Sequence, residues 1–172
     1  LLAGPALADE PRLADAYGGV LALDPGSATL PRVVGRLFTG AATHDLALDG
    51  DRAYVADSSA GLRAVDLADP TAPRDLGAAD TPGEALGVDL DRDVKRAYLA
   101  DGPGGLRIYD VSTAGADGPP RLLGELPLAG FAWSLRVDPA ARLVYLADRL
   151  VGLRVIDVSD PANPRERAVY TA

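Results

Sequence analysis

A period of about 44 residues, four short apolar runs inside each period and turn-forming residues between the runs predict an all-β chain. The architecture they specify is a β-propeller of four-stranded antiparallel blades, with about four repeats present, the first of them incomplete, and the set part of a larger ring. The period is read most directly from one recurring element. Arg52-Ala53-Tyr54-Val55-Ala56-Asp57, three residues, then Gly61-Leu62-Arg63-Ala64-Val65-Asp66 returns as Arg96 to Asp101, three residues, then Gly105 to Asp110. It returns again as Leu143 to Asp148, three residues, then Gly152-Leu153-Arg154-Val155-Ile156-Asp157, and a weakened copy opens the chain as Leu13-Ala14-Asp15 and Gly19 to Asp24. Gly19, Gly61, Gly105 and Gly152 are 42, 44 and 47 residues apart, and Asp24, Asp66, Asp110 and Asp157 repeat those intervals. The units fall at about residues 9–37, 38–79, 80–126 and 127–172.

Within the second unit the four strands are expected near Asp45 to Leu48, Ala53 to Asp57, Leu62 to Leu67 and Arg74 to Ala79. Asp49-Gly50-Asp51 suits a tight hairpin, and in the Asp-x-x-x-Gly element glycine supplies positive φ while the aspartate side chain can bond turn amides. Asp69-Pro70-Thr71-Ala72-Pro73 and Asp160-Pro161-Ala162-Asn163-Pro164 precede the fourth strand, where a missing proline donor is tolerated only on a sheet edge. The middle strands do not alternate apolar with polar, as in Val155-Ile156-Asp157-Val158, which fits strands covered on both faces by neighbouring blades. Residues 140–153 are rich in Ala, Leu and Arg and have helical propensity. Their phase with two earlier β-branched and aromatic copies assigns them to strands instead.

Composition narrows the function classes. The chain has 172 residues, 17 basic against 25 acidic, a net charge of −8 and no cysteine. The basic surface that phosphate backbones require is missing, so nucleic acid is not an expected partner. Disulfides, thiol nucleophiles and thiolate metal sites are excluded. No apolar run reaches the length of a membrane-spanning helix. Methionine is absent even at position 1, so the sequence reads as trimmed or as a fragment. Residues 1–8 look like a signal-peptide remnant, the end of an apolar region followed by Ala6-Leu7-Ala8 and a polar start. The same residues also read as a broken first strand, because Leu2-Ala3-Gly4 echoes Leu128-Ala129-Gly130.

The repeated segments resemble the LVIVD-repeat family, whose unit looks like Tyr-Val-Ala-Asp, a short loop, Gly-Leu-Arg-Ile-Ile-Asp-Val-Ser-Asp-Pro and an Asn-Pro element. Val155-Ile156-Asp157-Val158-Ser159-Asp160-Pro161-Ala162-Asn163-Pro164 is a close fit. The first unit departs at Arg12, Val20 and Leu21, and the third replaces the Asp-Pro step by Thr113 to Gly118. The resemblance implies a β-propeller of an exported or cell-surface prokaryotic protein, without an assigned activity.

The repeated polar residues Asp57, Gly61, Arg63 and Asp66, with Asp101, Gly105, Arg107 and Asp110 and with Asp148, Gly152, Arg154 and Asp157, are expected to be structural. Asp57 can pair with Arg63 across its hairpin, as can Asp101 with Arg107 and Asp148 with Arg154. Calcium is the one cofactor the aspartates could suggest, but they sit on separate blades and do not converge as that ion needs; no cofactor is expected. In phase, the innermost strands carry His44-Asp45, Leu86-Gly87 and Trp133-Ser134. His44 is the only histidine, so a multi-histidine metal site is excluded, and adjacent strand residues point to opposite faces, which argues against Asp45 orienting His44 as a base. No catalytic residue is assigned. His44, Asp45, Phe131 and Trp133 are the candidates for contacts at the channel mouth. The expected function is a non-catalytic, exported scaffold that binds protein or cell-surface components and can self-associate through open blade faces. The alternative is a segment of an exported metal-dependent hydrolase or lactonase-like propeller whose catalytic residues lie mainly outside this chain.

Overall fold

A computed structural model describes residues 12–15, 18–24 and 32–171. The signal-peptide reading of residues 1–8 lies outside them. Among the described residues fifteen strands form four separate antiparallel meanders. Blade 1 comprises β1 (Arg12–Asp15), β2 (Gly19–Asp24) and β3 (Arg32–Leu37); blade 2 comprises β4 (Asp45–Asp49), β5 (Arg52–Ala56), β6 (Leu62–Asp66) and β7 (Arg74–Ala79). Blade 3 contains β8 (Gly87–Asp91), β9 (Arg96–Ala100), β10 (Leu106–Asp110) and β11 (Arg121–Leu126), and blade 4 contains β12 (Ala132–Asp138), β13 (Leu143–Asp148), β14 (Gly152–Asp157) and β15 (Arg165–Tyr170). The predicted strands of the second unit are recovered to within a residue. Residues 143–148 are a strand despite their helical propensity. Among the described residues blade 1 has three strands, beginning at the counterpart of β5, and no sheet closes on another.

The fan is held together by apolar layers between blades. Val20 and Leu37 of blade 1 pack with Ala53, Val55, Val65 and Leu67 of blade 2. The opposite face of blade 2, with Tyr54, Ala56, Leu62 and Ala64, packs on Val88, Leu90, Leu99, Tyr109 and Val111 of blade 3. Blade 3 repeats the arrangement with Tyr98, Ala100, Leu106 and Ile108 against Leu135, Val144, Leu146 and Ile156 of blade 4. Both faces of β5 and β9 are therefore covered, which explains why their sequences do not alternate. The layers also contain a directed bond: the Tyr54 hydroxyl donates to Val111 O at 3.2 Å across the interface. Burial pushes the phenol of Tyr109, in the same layer, up to about 12.

Glycine is demanded at two recurrent places. Gly61 has φ +76, and a Cβ there would stand 2.1 Å from Ala79 O on the outer strand; Gly19, Gly105 and Gly152 have φ +96, +81 and +120 and face equivalent carbonyls. The second place is the bulge where each outer strand shifts register against its partner. A Cβ at Gly35 would lie 2.0 Å from Pro70 O, and one at Gly124 would lie 2.2 Å from Pro161 O. The glycine is thus a seat for the Asp-Pro turn of the next blade. Gly77 holds the same position, but blade 3 presents its longer lead-in there, with Pro119 at 3.4 Å.

Gly124→Ala is expected to drive blade 4 off its seat and destabilise the chain by about 1–3 kcal/mol. Ala168→Gly, at the same register position of blade 4, is expected to cost only about 0.5–1 kcal/mol through backbone entropy. Urea unfolding followed by far-UV circular dichroism checks the contrast.

Candidate functional site

In the second, third and fourth units the sequence places a carboxylate at or just after the end of the second strand and an arginine six residues later, and the fold brings the two together. Arg63 Nε donates to Asp57 Oδ2 at 2.8 Å, Arg107 Nε to Asp101 Oδ2 at 2.9 Å and Arg154 Nε to Asp148 Oδ2 at 2.8 Å. The geometry is dictated by the hairpin: the aspartate ends or follows the second strand, the arginine is one pleat into the third, and the intervening loop is closed by the positive-φ glycine. The aspartate side chains are fully buried and the arginines nearly so. Each guanidinium then reaches an outer-strand acid: Arg63 to Asp75 at 2.5 Å, Arg107 to Glu125 at 2.8 Å and Arg154 to Glu166.

Each buried aspartate also collects donors from the linker that enters its own blade. Asp57 accepts from the hydroxyls of Thr39 at 2.7 Å and Thr43 at 3.1 Å. Asp101 accepts from Thr81 Oγ1 at 2.7 Å and from Gly83 N, and Asp148 from Phe131 N at 3.0 Å of the linker and from the amides of Leu150 and Val151 in its own hairpin loop. Sequence reasoning missed these threonines. The available signal was that Thr39 and Thr81 each stand two residues after an outer strand, in phase in two units. Burial opposes the charge on Asp148, yet the Phe131 and Leu150 amides together with Arg154 outweigh it and hold its carboxyl below the usual range. Burial likewise opposes the charge on Arg154 and Arg107, and their carboxylate partners overcome it and raise both guanidinium values.

The innermost strands carry a different device. Asp45 accepts from Leu46 N at 2.9 Å and, across the blade boundary, from Val88 N at 3.1 Å. Asp89 does the same with Leu90 N at 2.9 Å and Val137 N at 3.0 Å. Unpaired amides on the inner edge of a sheet need acceptors, and these carboxylates bridge consecutive inner edges. Asp89 was not singled out by its sequence context, because its partner lies 48 residues away. His44 is exposed, and its amide pairs with Ala56 O at 2.9 Å while Asp45 is engaged with the two amides. Phe131 and Trp133 are brought together, ring centroids 6.3 Å apart and tilted by 34°, and the Arg149 guanidinium lies 5.9 Å from the Trp133 centroid. Trp133 is half exposed on the inner strand of blade 4, beside a shallow apolar hollow lined by Ala147, Asp148 and Arg149. His44 and Asp45 lie at the start of the inner strand of blade 2, and the aromatic shelf lies on blade 4. Among the described residues no group of three or more His, Asp or Glu side chains converges as a metal centre would require.

The comparisons agree with the geometry. The LVIVD repeat family model matches residues 40–81 and 142–172. No curated protein matches the chain. Among solved structures, the computationally designed Ika8 protein superposes with a TM-score of 0.71 at 12% identity, covering 94% of this chain and 46% of that one. The periplasmic gluconolactonase PpgL of Pseudomonas aeruginosa superposes with a TM-score of 0.67 at 19% identity, over 88% of this chain and 51% of that one. The designed Ika4 protein gives 0.64 at 7% identity over 92% and 84%. The chain therefore spans about half the length of the first two, and at these identities the likeness is one of fold. No helix of the described residues is long and apolar enough to cross a membrane.

Removing one member of a buried pair leaves the other charge stranded, so Asp101→Ala is expected to cost about 3–5 kcal/mol in equilibrium unfolding. Arg74→Ala, which breaks only the exposed contact to Asp66, is expected to cost under about 1 kcal/mol. The lowered carboxyl value of Asp148 also sets a pH window. Its contribution is complete above the unfolded value of about 3.9 and is lost as pH falls through the lower folded value. Urea midpoints measured from pH 5 to pH 2 should fall steeply below pH 4, and Asp148→Asn should flatten that fall.

Proposed function

We propose that the chain is a non-catalytic, exported propeller module that binds a protein or cell-surface component at its inner rim. One observation carries this reading: the carboxylates of the inner edge and of the adjoining hairpins are already committed to structural partners. Asp45 and Asp89 each serve two backbone amides, and Asp57, Asp101 and Asp148 each face an arginine. A general base or metal ligand needs an uncommitted lone pair at the reacting centre. The Trp133, Phe131 and Arg149 shelf, by contrast, offers an exposed aromatic surface with a cation beside it, suited to a peptide or other flat, weakly polar ligand. Export is what the resemblance to the LVIVD-repeat family implies.

The competing reading is a lactonase-like segment, and a direct assay separates the two. Hydrolysis of D-glucono-δ-lactone by the chain, with and without added calcium, magnesium or zinc, is expected to stay at the buffer rate. Turnover that disappears in His44→Ala would overturn the binding-module reading. Peptides selected on the wild-type chain from a displayed library are expected to lose binding on Trp133→Ala. Retained binding would remove the shelf as the contact surface.

A further inference from the structure

Two turns at equivalent places close the inner hairpins of blades 3 and 4. Arg92-Asp93-Val94-Lys95 joins β8 to β9, and Pro139-Ala140-Ala141-Arg142 joins β12 to β13. Both end on a residue of positive φ, Lys95 at 53 and Arg142 at 55, whose carbonyl accepts from Val111 N or Val158 N at 3.0 Å. The register therefore sets Pro139 in the place of Arg92 and Arg142 in the place of Lys95. Each turn faces the preceding blade, where Asp91 stands at the second boundary as Asp49 stands at the first.

At the boundary of blades 2 and 3 the turn seals the joint. Arg92 Nε donates to Leu48 O at 2.8 Å, Lys95 Nζ reaches Asp49 Oδ2 at 2.7 Å, and the Tyr54 hydroxyl donates to Val111 O. Among the described residues none of these three contacts recurs at the boundary of blades 3 and 4. Pro139 has no side-chain donor to lay across the joint, Arg142 forms no ion pair with Asp91, and Tyr98, the counterpart of Tyr54, makes no bond to Val158 O. A cleft of about 700 Å³ opens there instead, a volume in the range of small-ligand sites. Tyr98 lines it and is 1% exposed. Burial raises its phenol value against the effect of the Arg96 guanidinium beside it, and a guanidinium only donates, so the phenolic proton lacks the acceptor that Tyr54 has.

The cleft keeps the receiving half of the joint. Asp91, Asp93 and Asp138 line it, and Val94, Val137 and Val158 give it an apolar side. Asp91 Oδ1 accepts from the amides of Asp93 and Val94, and Asp138 Oδ1 from Ala141 N, so among the described residues Oδ2 of each carboxylate has no donor. The three acids outnumber the two guanidinium groups on the cleft wall, Arg96 and Arg142, and among the described residues no three acids converge as a metal ion requires. A flat cation on an apolar stem meets both conditions, because its fork reaches separated carboxylates while the stem lies on the valines. We infer that the cleft between blades 3 and 4 binds an alkylguanidinium, carried by free arginine or by an arginine side chain of a peptide, in the part that Arg92 plays within the chain at the preceding boundary. The cleft stands at the opposite end of β12 from Trp133, so the inference does not depend on the aromatic shelf.

Heteronuclear NMR on the isotope-labelled 172-residue chain, titrated with N-acetylarginine amide and separately with free arginine, reads the result. The amides of Asp91, Asp93, Asp138 and Ala140 are expected to shift saturably, the tighter of the two compounds naming the source, and the uncharged citrulline counterparts should bind at least about tenfold more weakly. Pro139→Arg, which returns a guanidinium to the joint, and Asp91→Asn combined with Asp138→Asn should each weaken binding at least about tenfold. The absence of any saturable shift up to about 10 mM would overturn the inference, and so would an unchanged affinity in Pro139→Arg. Shifts of the same amides with inorganic phosphate and not with either arginine compound would make the cleft an anion site, and shifts confined to Trp133 and Arg149 would move the guanidinium to the aromatic shelf; either result overturns it.

Discussion

A buried aspartate held by an arginine six residues later is the joint on which each complete blade depends. The carboxylate takes its charge partner from the third strand and its hydrogen bonds from the linker that enters the blade, so one group fixes the hairpin and its approach path together. Desolvating both charges is expensive, and the arrangement is tolerable because the guanidinium reaches a second acid at the outer strand while hydroxyls and amides fill the remaining lone pairs. Blade 1 is built without the pair, because Leu21 stands where the other units have arginine.

Between blades the constraint changes from charge to shape. Each apolar layer needs a face of small and branched residues, an inner-edge carboxylate to cap the next strand's amide, and a glycine seat for the following turn. All three meet at the boundary of blades 3 and 4; between blades 2 and 3 Gly77 faces Pro119 of a longer lead-in, and between blades 1 and 2 the described residues show the apolar layer and the Gly35 seat. Blade 4 satisfies them only toward blade 3, and its other face keeps the same residues without the same cover.

Much of this was legible in the sequence because repetition carries it. The four-strand count, the strand positions in the second unit and the strand assignment of residues 143–148 follow from phase alone, against the helical propensity of that segment. The Asp57 and Arg63 spacing was legible because both partners sit on one hairpin. Asp45 and Asp89 as amide caps were not, since their partners are 43 and 48 residues away and nothing local marks them. Tyr145 was not legible either: its sequence context is that of Tyr54 and Tyr98, and its exposure comes from what stands beside the blade. Trp133 and Phe131 were recognised as a pair, but the placement of Arg149 against Trp133 depends on the loop after β13.

The most direct test of the joint is a double-mutant cycle on Asp101 and Arg107, using asparagine and glutamine replacements and equilibrium unfolding at pH 7. The buried, linker-anchored pair predicts a coupling of about 2–3 kcal/mol, near the top of the range for contacting residues. A coupling below about 0.5 kcal/mol would show that the two side chains act independently and that the blades are held by their apolar layers alone.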